Sequence, residues 1–400
     1  LPSGGTEFLG IRFAAMPERF EPSGPPLPWP SDPTAVTSFG PDCTQPTDML
    51  RHATSEDCLY LNVYRPPVPS SASSVPSGGD QLLPVMVFVH GGGMVRGAGS
   101  WYNGSALAET QNVLLVTFNY RLGPLGFASA NASGPHGTGS MNGVHDQITA
   151  LQYVQANIHR FGGDPSRVTL FGQSAGGLSV CSLLFSPLAR GLFSRAAIQS
   201  GSCTGPWGPG SNADGLAATA RFLDAVAVGR SGASLTDLRD RQRFPATKLP
   251  SWSHGDLNSL EFPGYFVDGW VLMDSPASLS QHLASSKDRA YTVPYDELDA
   301  LLIGSNSRDG MMACCEDSSS LPATLSAYGP ALLKHWTVGV VSTLPAAINS
   351  TTLANGIAQQ YQPADYGGTA AAAFVAADSD YNLYCPELQM LTLKRRRQWA

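Results

Sequence analysis

The alternation that begins at Val85 constrains the fold of this chain more than any other feature. Val85 to Val89 is an apolar, β-branched run, Val113 to Phe118 is a second, and Val168 to Phe171 is a shorter third. Runs this short and this apolar read as strands buried on both faces. Between the second and third, Ile148, Leu151, Val154, Ile158 and Phe161 recur at three- and four-residue intervals. That spacing predicts one face of a helix running on from Asp146, with Gly162-Gly163 as its stop. After the third run, Gly172 to Gly176 reads as a turn and the small-residue segment Gly177 to Phe185 as a buried helix. Strand, helix, strand, turn, helix predicts an α/β fold with a mainly parallel sheet covered by helices on both faces.

Other strands are expected at Leu59 to Tyr64, Ala196 to Gln199 and Leu301 to Gly304. The Pro/Ser/Gly-rich stretch from Pro66 to Pro84 is a long surface loop, because strands resume on both sides of it. Residues 207–295 carry helical and loop signals and are expected to cap the site. No internal repeat interrupts the pattern, and the 400 residues are read as a single domain.

Composition narrows the function classes. The hydrophobic share of 42% supplies a substantial core, while 42 glycines and 31 prolines imply many tight turns and long ordered loops. A net charge of -7 without a clustered basic face argues against nucleic acid as a partner, because phosphate neutralisation needs a Lys/Arg surface. Lys394 to Arg397, the one basic run, reads as a solvated helix end. No apolar run reaches the roughly 20 residues that a membrane span needs. The residues after Leu1 lack the pattern of a secretory signal. Three Asn-x-Ser/Thr sequons, at Asn103, Asn131 and Asn349, are glycosylation candidates that fit a secreted or lumenal protein.

Seven cysteines are present: Cys43, Cys58, Cys181, Cys203, Cys314, Cys315 and Cys385. Cys43 and Cys58 flank a short polar stretch of the kind a disulfide closes. Cys181 lies in an apolar segment and reads as a buried free thiol. Adjacent Cys314 and Cys315 lack the companion spacing of a zinc site, so neither a metal nor a cofactor is expected.

The residues suited to chemistry follow the strands. Gly172-Gln173-Ser174-Ala175-Gly176 has the G-x-S-x-G pattern of a serine on a strained strand-to-helix turn. In a chain this rich in glycine the pattern arises easily by chance, so its position between a strand and a small-residue helix is what gives it weight. His90-Gly91-Gly92-Gly93 directly follows the Val85 run. Consecutive glycines let main-chain amides turn toward a carbonyl oxygen that gains negative charge, which makes Gly92, Gly93 and the amide of Ala175 candidates for an oxyanion hole. The bland readings of these segments are an ordinary turn and a flexible glycine loop. His90 itself reads as a structural residue at a strand end rather than a base. A serine nucleophile needs a base and the base an acid, in the order Ser, acid, His. Asp309, on the loop after Leu301 to Gly304, is the chosen acid, against the alternative of a solvated turn aspartate.

With these residues in view the chain resembles the type-B carboxylesterase and cholinesterase family. The resemblance rests on Phe8 to Ala14, Ser55 to Val63, the glycine triplet, Asn119-Tyr120-Arg121, Asp146-Gln147, Phe161 to Pro165, the serine turn and Gln199 to Ser202. It implies the α/β-hydrolase fold and hydrolysis of small-molecule esters through an acyl-enzyme. It also implies a Cys43 to Cys58 disulfide and ion pairs of Arg19 with Glu56 and of Arg121 with Asp146. Trp207 falls where the family places an acyl-pocket aromatic, with a core role as the alternative.

Departures from the family pattern sharpen the expectation. Gln173 stands where the family usually has Glu, and no Trp lies between Cys43 and Cys58, so uncharged esters are expected rather than choline esters. Asp309 replaces the commoner Glu. Of the eight histidines only His335 follows Asp309, and its surroundings, Lys334-His335-Trp336, lack the family's Gly-His pattern. Asp380 to Pro386 resembles a family segment that precedes the catalytic histidine, and Phe8 to Ala14 one that normally follows a leader and strands. The expectation is therefore a fragment, with the base beyond Ala400 and with poor turnover of p-nitrophenyl acetate by these 400 residues alone. The alternative is a non-catalytic relative used for adhesion or protein interaction. Inactive relatives commonly lose the serine or the oxyanion glycines, and both are kept here. A lipase or peptidase on the same fold is a third possibility. Oligomeric state is not legible.

Overall fold

The structure, a computed structural model, describes residues 4–28, 36–46, 51–67, 82–129, 141–204, 209–227, 234–250, 265–276, 278–279, 293–305, 359–366, 370 and 373. The chain groups into two compact units, Leu1–Gln199 with Pro209–Leu302, and Ser200–Gly208 with Ile303–Ala400. Ser174, the glycine loop after β5 and the side chains that hold that loop lie in the first.

In chain order the elements are β1 (Thr6–Arg12), β2 (Asp42–Cys43), β3 (Thr54–Ser55), β4 (Tyr60–Arg65), β5 (Leu83–Val89), α1 (Ser105–Gln111), β6 (Leu114–Phe118), α2 (Gly123–Phe127), α3 (Asn142–Asn157), β7 (Gly163–Gln173), α4 (Ala175–Leu184), β8 (Arg195–Gln199), α5 (Asn212–Val226) and β9 (Ala300–Gly304). The main sheet has the strand order β1-β4-β6-β5-β7-β8-β9, and β2 pairs with β3 in a separate short ladder. The ladders β5–β6, β5–β7 and β7–β8 are parallel, whereas β1–β4 and β4–β6 are antiparallel. The fold is thus the expected α/β class, with an antiparallel edge on a parallel centre.

Burial explains why the centre is so apolar. Every residue of β6 is buried, as a strand covered on both faces requires. Leu115 packs with Leu9, Tyr64 and Ala108 of α1. Alternation along the strand then sends Leu114, Val116 and Phe118 to the opposite face. α4 packs on β5, β7 and β8, with α3 against α4.

Several boundaries differ from the sequence reading, two of them for identifiable reasons. α3 ends at Asn157 and continues as a single 3-10 turn, Ile158–Phe161, closed by Gly162 at φ 84°. Gly163, read as part of that stop, is instead the first residue of β7, because Leu83 at the start of β5 pairs with it. The next pair is Val85 with Val168, so the register shifts across Asp164 to Arg167, where the turn-like composition lies. No helix among the described residues is long and apolar enough to cross a membrane.

Candidate active site

β7 ends at Gln173 and α4 begins at Ala175, so a single residue, Ser174, makes the reversal. It does so at φ 56° and ψ -125°, a conformation that costs a non-glycine residue about 1–3 kcal/mol and persists only when its surroundings enforce it. The surroundings are backbone. A Cβ on Gly172 would lie 2.4 Å from the Gly176 carbonyl oxygen, and one on Gly176 would lie 2.0 Å from the Val89 carbonyl oxygen. Only glycine on each side lets β7, the turn and β5 pass this closely. The Ser174 N–H donates to the Gln199 carbonyl at 2.9 Å, and Ser174 accepts at its own carbonyl from Leu178 N–H at 3.0 Å. Its hydroxyl does not cap α4, which leaves the oxygen at the positive end of a helix dipole.

The glycine loop meets this turn from β5. Val89 pairs in register with Gly172, so both strands deliver their following residues to the same sheet edge. A Cβ on Gly91 would lie 2.7 Å from the Gln173 carbonyl oxygen and 3.2 Å from Ser174 Cβ. Gly92 sits at φ 110° and Gly93 at φ 63°. The Gly92 carbonyl accepts from Val95 N–H at 3.1 Å and Arg96 N–H at 3.0 Å, which closes the loop as a tight turn. Ala175 is the first residue of α4, where an N–H has no intrahelical acceptor. Gln173 is exposed beside Ser174.

Polar side chains from distant segments hold the loop. His90 is 1% exposed. Its Nδ1 lies 2.9 Å from the Gly91 carbonyl oxygen, and its ring stacks on Tyr120 with centroids 4.3 Å apart. Burial holds the imidazole down to about 4, against a smaller opposing effect of the Gly91 carbonyl. Tyr120 Oη donates to the His90 carbonyl at 2.9 Å. Gln45 clamps Gly97, donating from Nε2 to its carbonyl at 3.0 Å and accepting its N–H at Oε1 at 2.8 Å. Asn119 accepts from Gly99 N–H at 2.8 Å and donates to the Pro41 and Cys58 carbonyls at 3.0 and 3.1 Å. Gln45 and Gly97 carry no local sequence signal for their clamp, since they lie 52 residues apart, and Tyr120 reaches His90 across 30.

Cys43 and Cys58 are joined, with S–S 2.01 Å. Arg19 donates to Glu56 through Nη2 at 2.5 Å and Nε at 2.7 Å, and through Nη1 to the Leu238 and Phe244 carbonyls. Burial alone would raise the Glu56 carboxyl, but Arg19 and Arg241 reverse that and lower it. Arg121 and Asp146 pair in the core, with Nε to Oδ2 at 2.7 Å. Cys181, expected as a free thiol, is disulfide-bonded, as is Cys203. An apolar setting suits a half-cystine as well as a thiol, so burial could not separate the two.

Asn103 is exposed, and its Oδ1 accepts from Ser105 N–H at 2.9 Å. Trp207, Asp309, His335, Asn131, Asn349, Cys314, Cys315 and Cys385 lie outside the described residues. Among the described residues no group of three or more His, Cys, Asp or Glu is placed to hold a metal ion.

Comparison with known proteins gives this arrangement its kin. The chain matches the model of the Carboxylesterase family over residues 3–399. It is 44% identical over 212 residues to a "Fatty acyl-CoA hydrolase precursor, medium chain" of Anas platyrhynchos, covering 49% of this chain and 36% of that protein. It is 42% identical over 211 residues to the "Para-nitrobenzyl esterase" of Bacillus subtilis (strain 168), covering 50% and 41%. With the "Cocaine esterase" of Homo sapiens it shares 41% identity over 262 residues, covering 60% and 44%. The aligned region therefore spans less than half the length of each of these relatives. A solved structure of "PNB ESTERASE" superposes with a TM-score of 0.69 at 29% identity, covering 98% of this chain and 74% of that one.

Proposed function

The chain belongs to the carboxylesterase family, and from that premise we propose that it is a serine carboxylic ester hydrolase acting on uncharged esters. Ser174 Oγ attacks the ester carbonyl while a general base takes its proton. The carbonyl oxygen, now negative, is held by the amides of Gly92, Gly93 and Ala175. Collapse expels the alcohol, which takes the proton back from the base, and leaves an ester of Ser174; water, giving its proton to the same base, then cleaves that ester to the free acid, and the proton returns to Ser174 Oγ. Asp309 orients the base in this reading.

His90 is not that base. Its Nδ1 is spent on the Gly91 carbonyl, and its ring is buried against Tyr120. Gln173 brings no negative charge to the reacting centre, which favours a neutral alcohol portion over a cationic one. Trp207 is assigned to the acyl pocket, and residues 207–295 to a cover within a single α/β-hydrolase domain. The bonded state of Cys43, Cys58, Cys181 and Cys203 supports a secreted or lumenal setting, in which Asn103, Asn131 and Asn349 are the sites for glycan.

The observation that carries the reading is the closeness of Gly91 to Ser174 together with the φ of 56° at that serine. A strained serine and a glycine loop meeting at one sheet edge have no use in packing. The test is a fluorophosphonate probe on the protein expressed from its complete gene. An adduct on the peptide that contains Ser174, lost in Ser174→Ala, is expected. A cooperatively folded protein that takes no label would overturn the proposal.

A further inference from the structure

We infer that His90 is a positioning residue that aims the Gly92 amide, so that one oxyanion donor is held by a side chain as well as by the turn. The inference rests on the esterase reading for its catalytic consequence and on geometry alone for its structural part.

A trans peptide is a rigid plane in which the carbonyl of one residue and the N–H of the next point in opposite directions. No cis peptide occurs among the described residues. The Gly91 carbonyl and the Gly92 N–H therefore share one plane, and fixing the first fixes the second. His90 Nδ1 is 2.9 Å from that carbonyl oxygen. A carbonyl only accepts, so Nδ1 carries the proton and donates. The preceding plane is held too, since Tyr120 Oη donates to the His90 carbonyl at 2.9 Å. Two consecutive peptides in a stretch of glycines, where the backbone has little preference of its own, are thus each pinned by one side chain.

The ring is itself held in place. One face lies on Tyr120, with the planes 18° apart. Gly97 presses close to the ring, so that a Cβ there would lie 2.4 Å from Nδ1 and 2.6 Å from the Gly91 carbonyl oxygen. Gln45 fixes Gly97 through both its N–H and its carbonyl. Among the described residues the buried Nε2 has no hydrogen-bond partner. A second proton there would find no acceptor, so the imidazole stays neutral with its hydrogen on Nδ1. Burial, which lowers the imidazole to about 4, acts in the same sense. A residue that merely filled space here would be served by phenylalanine. The bond from Nδ1 is what phenylalanine lacks.

The test compares His90→Phe with His90→Asn. Phenylalanine keeps a ring against Tyr120 and removes the donor, whereas the asparagine amide nitrogen reaches the place of Nδ1. Crystal structures of both report the peptide plane between Gly91 and Gly92 without any need for catalysis. It is expected to rotate in His90→Phe and to keep its orientation in His90→Asn. In esterase assays of the protein expressed from its complete gene, His90→Phe is expected to lose about 10- to 100-fold in kcat at an unchanged KM, with most of it restored in His90→Asn. Should His90→Phe fail to fold, Tyr120→Phe removes only the hydroxyl on the neighbouring plane and is expected to give a smaller loss of kcat, again without change in KM. An unmoved peptide plane in His90→Phe, wild-type kcat in that variant, or His90→Asn as impaired as His90→Phe overturns the inference. A plane that rotates as expected in a protein that neither labels at Ser174 nor cleaves esters supports the positioning role and removes the esterase reading instead.

Discussion

Arg121 and Asp146 form a two-pronged pair in the core, with Nε to Oδ2 at 2.7 Å and Nη2 to Oδ1 at 2.8 Å. The Arg121 N–H adds a third bond to Oδ2, and Nη1 reaches the Glu21 carbonyl at 2.7 Å. The pair thus ties the segment after β6 to α3 and to the chain near Glu21. Charges this deep are tolerable only while each satisfies the other. Asp146→Ala is expected to lose about 3–5 kcal/mol in urea unfolding, since it strands the guanidinium, whereas Arg121→Met with Asp146→Leu regains a good part of that loss. Additive losses in the double variant would mean that the two residues are not coupled.

Acid should destabilise the fold well above the carboxylate range. Burial lowers both His90 and His145 from the ordinary 6.5 to about 4, with His145 also raised by Asp146 and lowered by Arg121. His145 lies on Trp270 with ring centroids 4.7 Å apart and has Nδ1 3.0 Å from Ser23 Oγ. Between pH 6.5 and 4 the unfolded chain takes up these protons and the folded chain does not, so stability falls as pH falls. Above 6.5 the contribution is fully present. His90 alone accounts for about 3 kcal/mol across that window. Urea midpoints measured from pH 7.5 down to 4.5 should decline steadily, and His90→Asn should flatten the slope. A level profile over that range would contradict the burial assigned to both rings.

The Cys43 to Cys58 disulfide does more than close its own loop. Gln45, two residues past Cys43, donates to the Cys43 carbonyl and to Gly97 at 3.0 Å each, and Gly97 abuts His90. Replacing both cysteines by serine is expected to reduce stability by about 3 kcal/mol, the entropy of a loop of this length. It should also slow fluorophosphonate labelling of Ser174, because the anchor of the glycine loop loosens. Reductant is the wrong tool, since Cys181 and Cys203 are bonded as well. Unchanged labelling in the double serine variant would detach the disulfide from the site.

Legibility in the sequence followed the range of the interactions. β5, β6 and β7 announced themselves because strands at the covered centre of a sheet are mostly apolar, β6 being buried at every position, and the serine turn because its glycines answer to local backbone contacts. β1 was not legible as a strand from pattern alone. It is an edge strand with a register shift between Phe8 and Ile11, and Gly10 stands at φ 75°. The support of the glycine loop was equally hidden. Gln45 acts across 52 residues on Gly97, and Asn119 across 78 and 61 residues on Pro41 and Cys58. Such contacts leave no periodicity, and a buried histidine before glycines looks the same in sequence whether it packs or positions.

Two glycine substitutions separate the demands of the site from those of glycine in general. Gly91→Ala puts a methyl 2.7 Å from the Gln173 carbonyl oxygen and 3.2 Å from Ser174 Cβ. Neither neighbour can yield easily, since Gln173 is paired with Gln199 in the sheet and Ser174 donates to the Gln199 carbonyl. The loop must therefore withdraw from the serine. A stability loss of about 1–3 kcal/mol is expected, together with a loss of fluorophosphonate labelling larger than that destabilisation explains. Gly24 is exposed and has no heavy atom within 4 Å of an added Cβ. Gly24→Ala should change stability by no more than about 1 kcal/mol and leave labelling intact. The decisive measurement is the labelling rate of each variant at a temperature where both remain fully folded. A Gly91→Ala protein that labels at the wild-type rate would show that the glycine loop and Ser174 are not in contact.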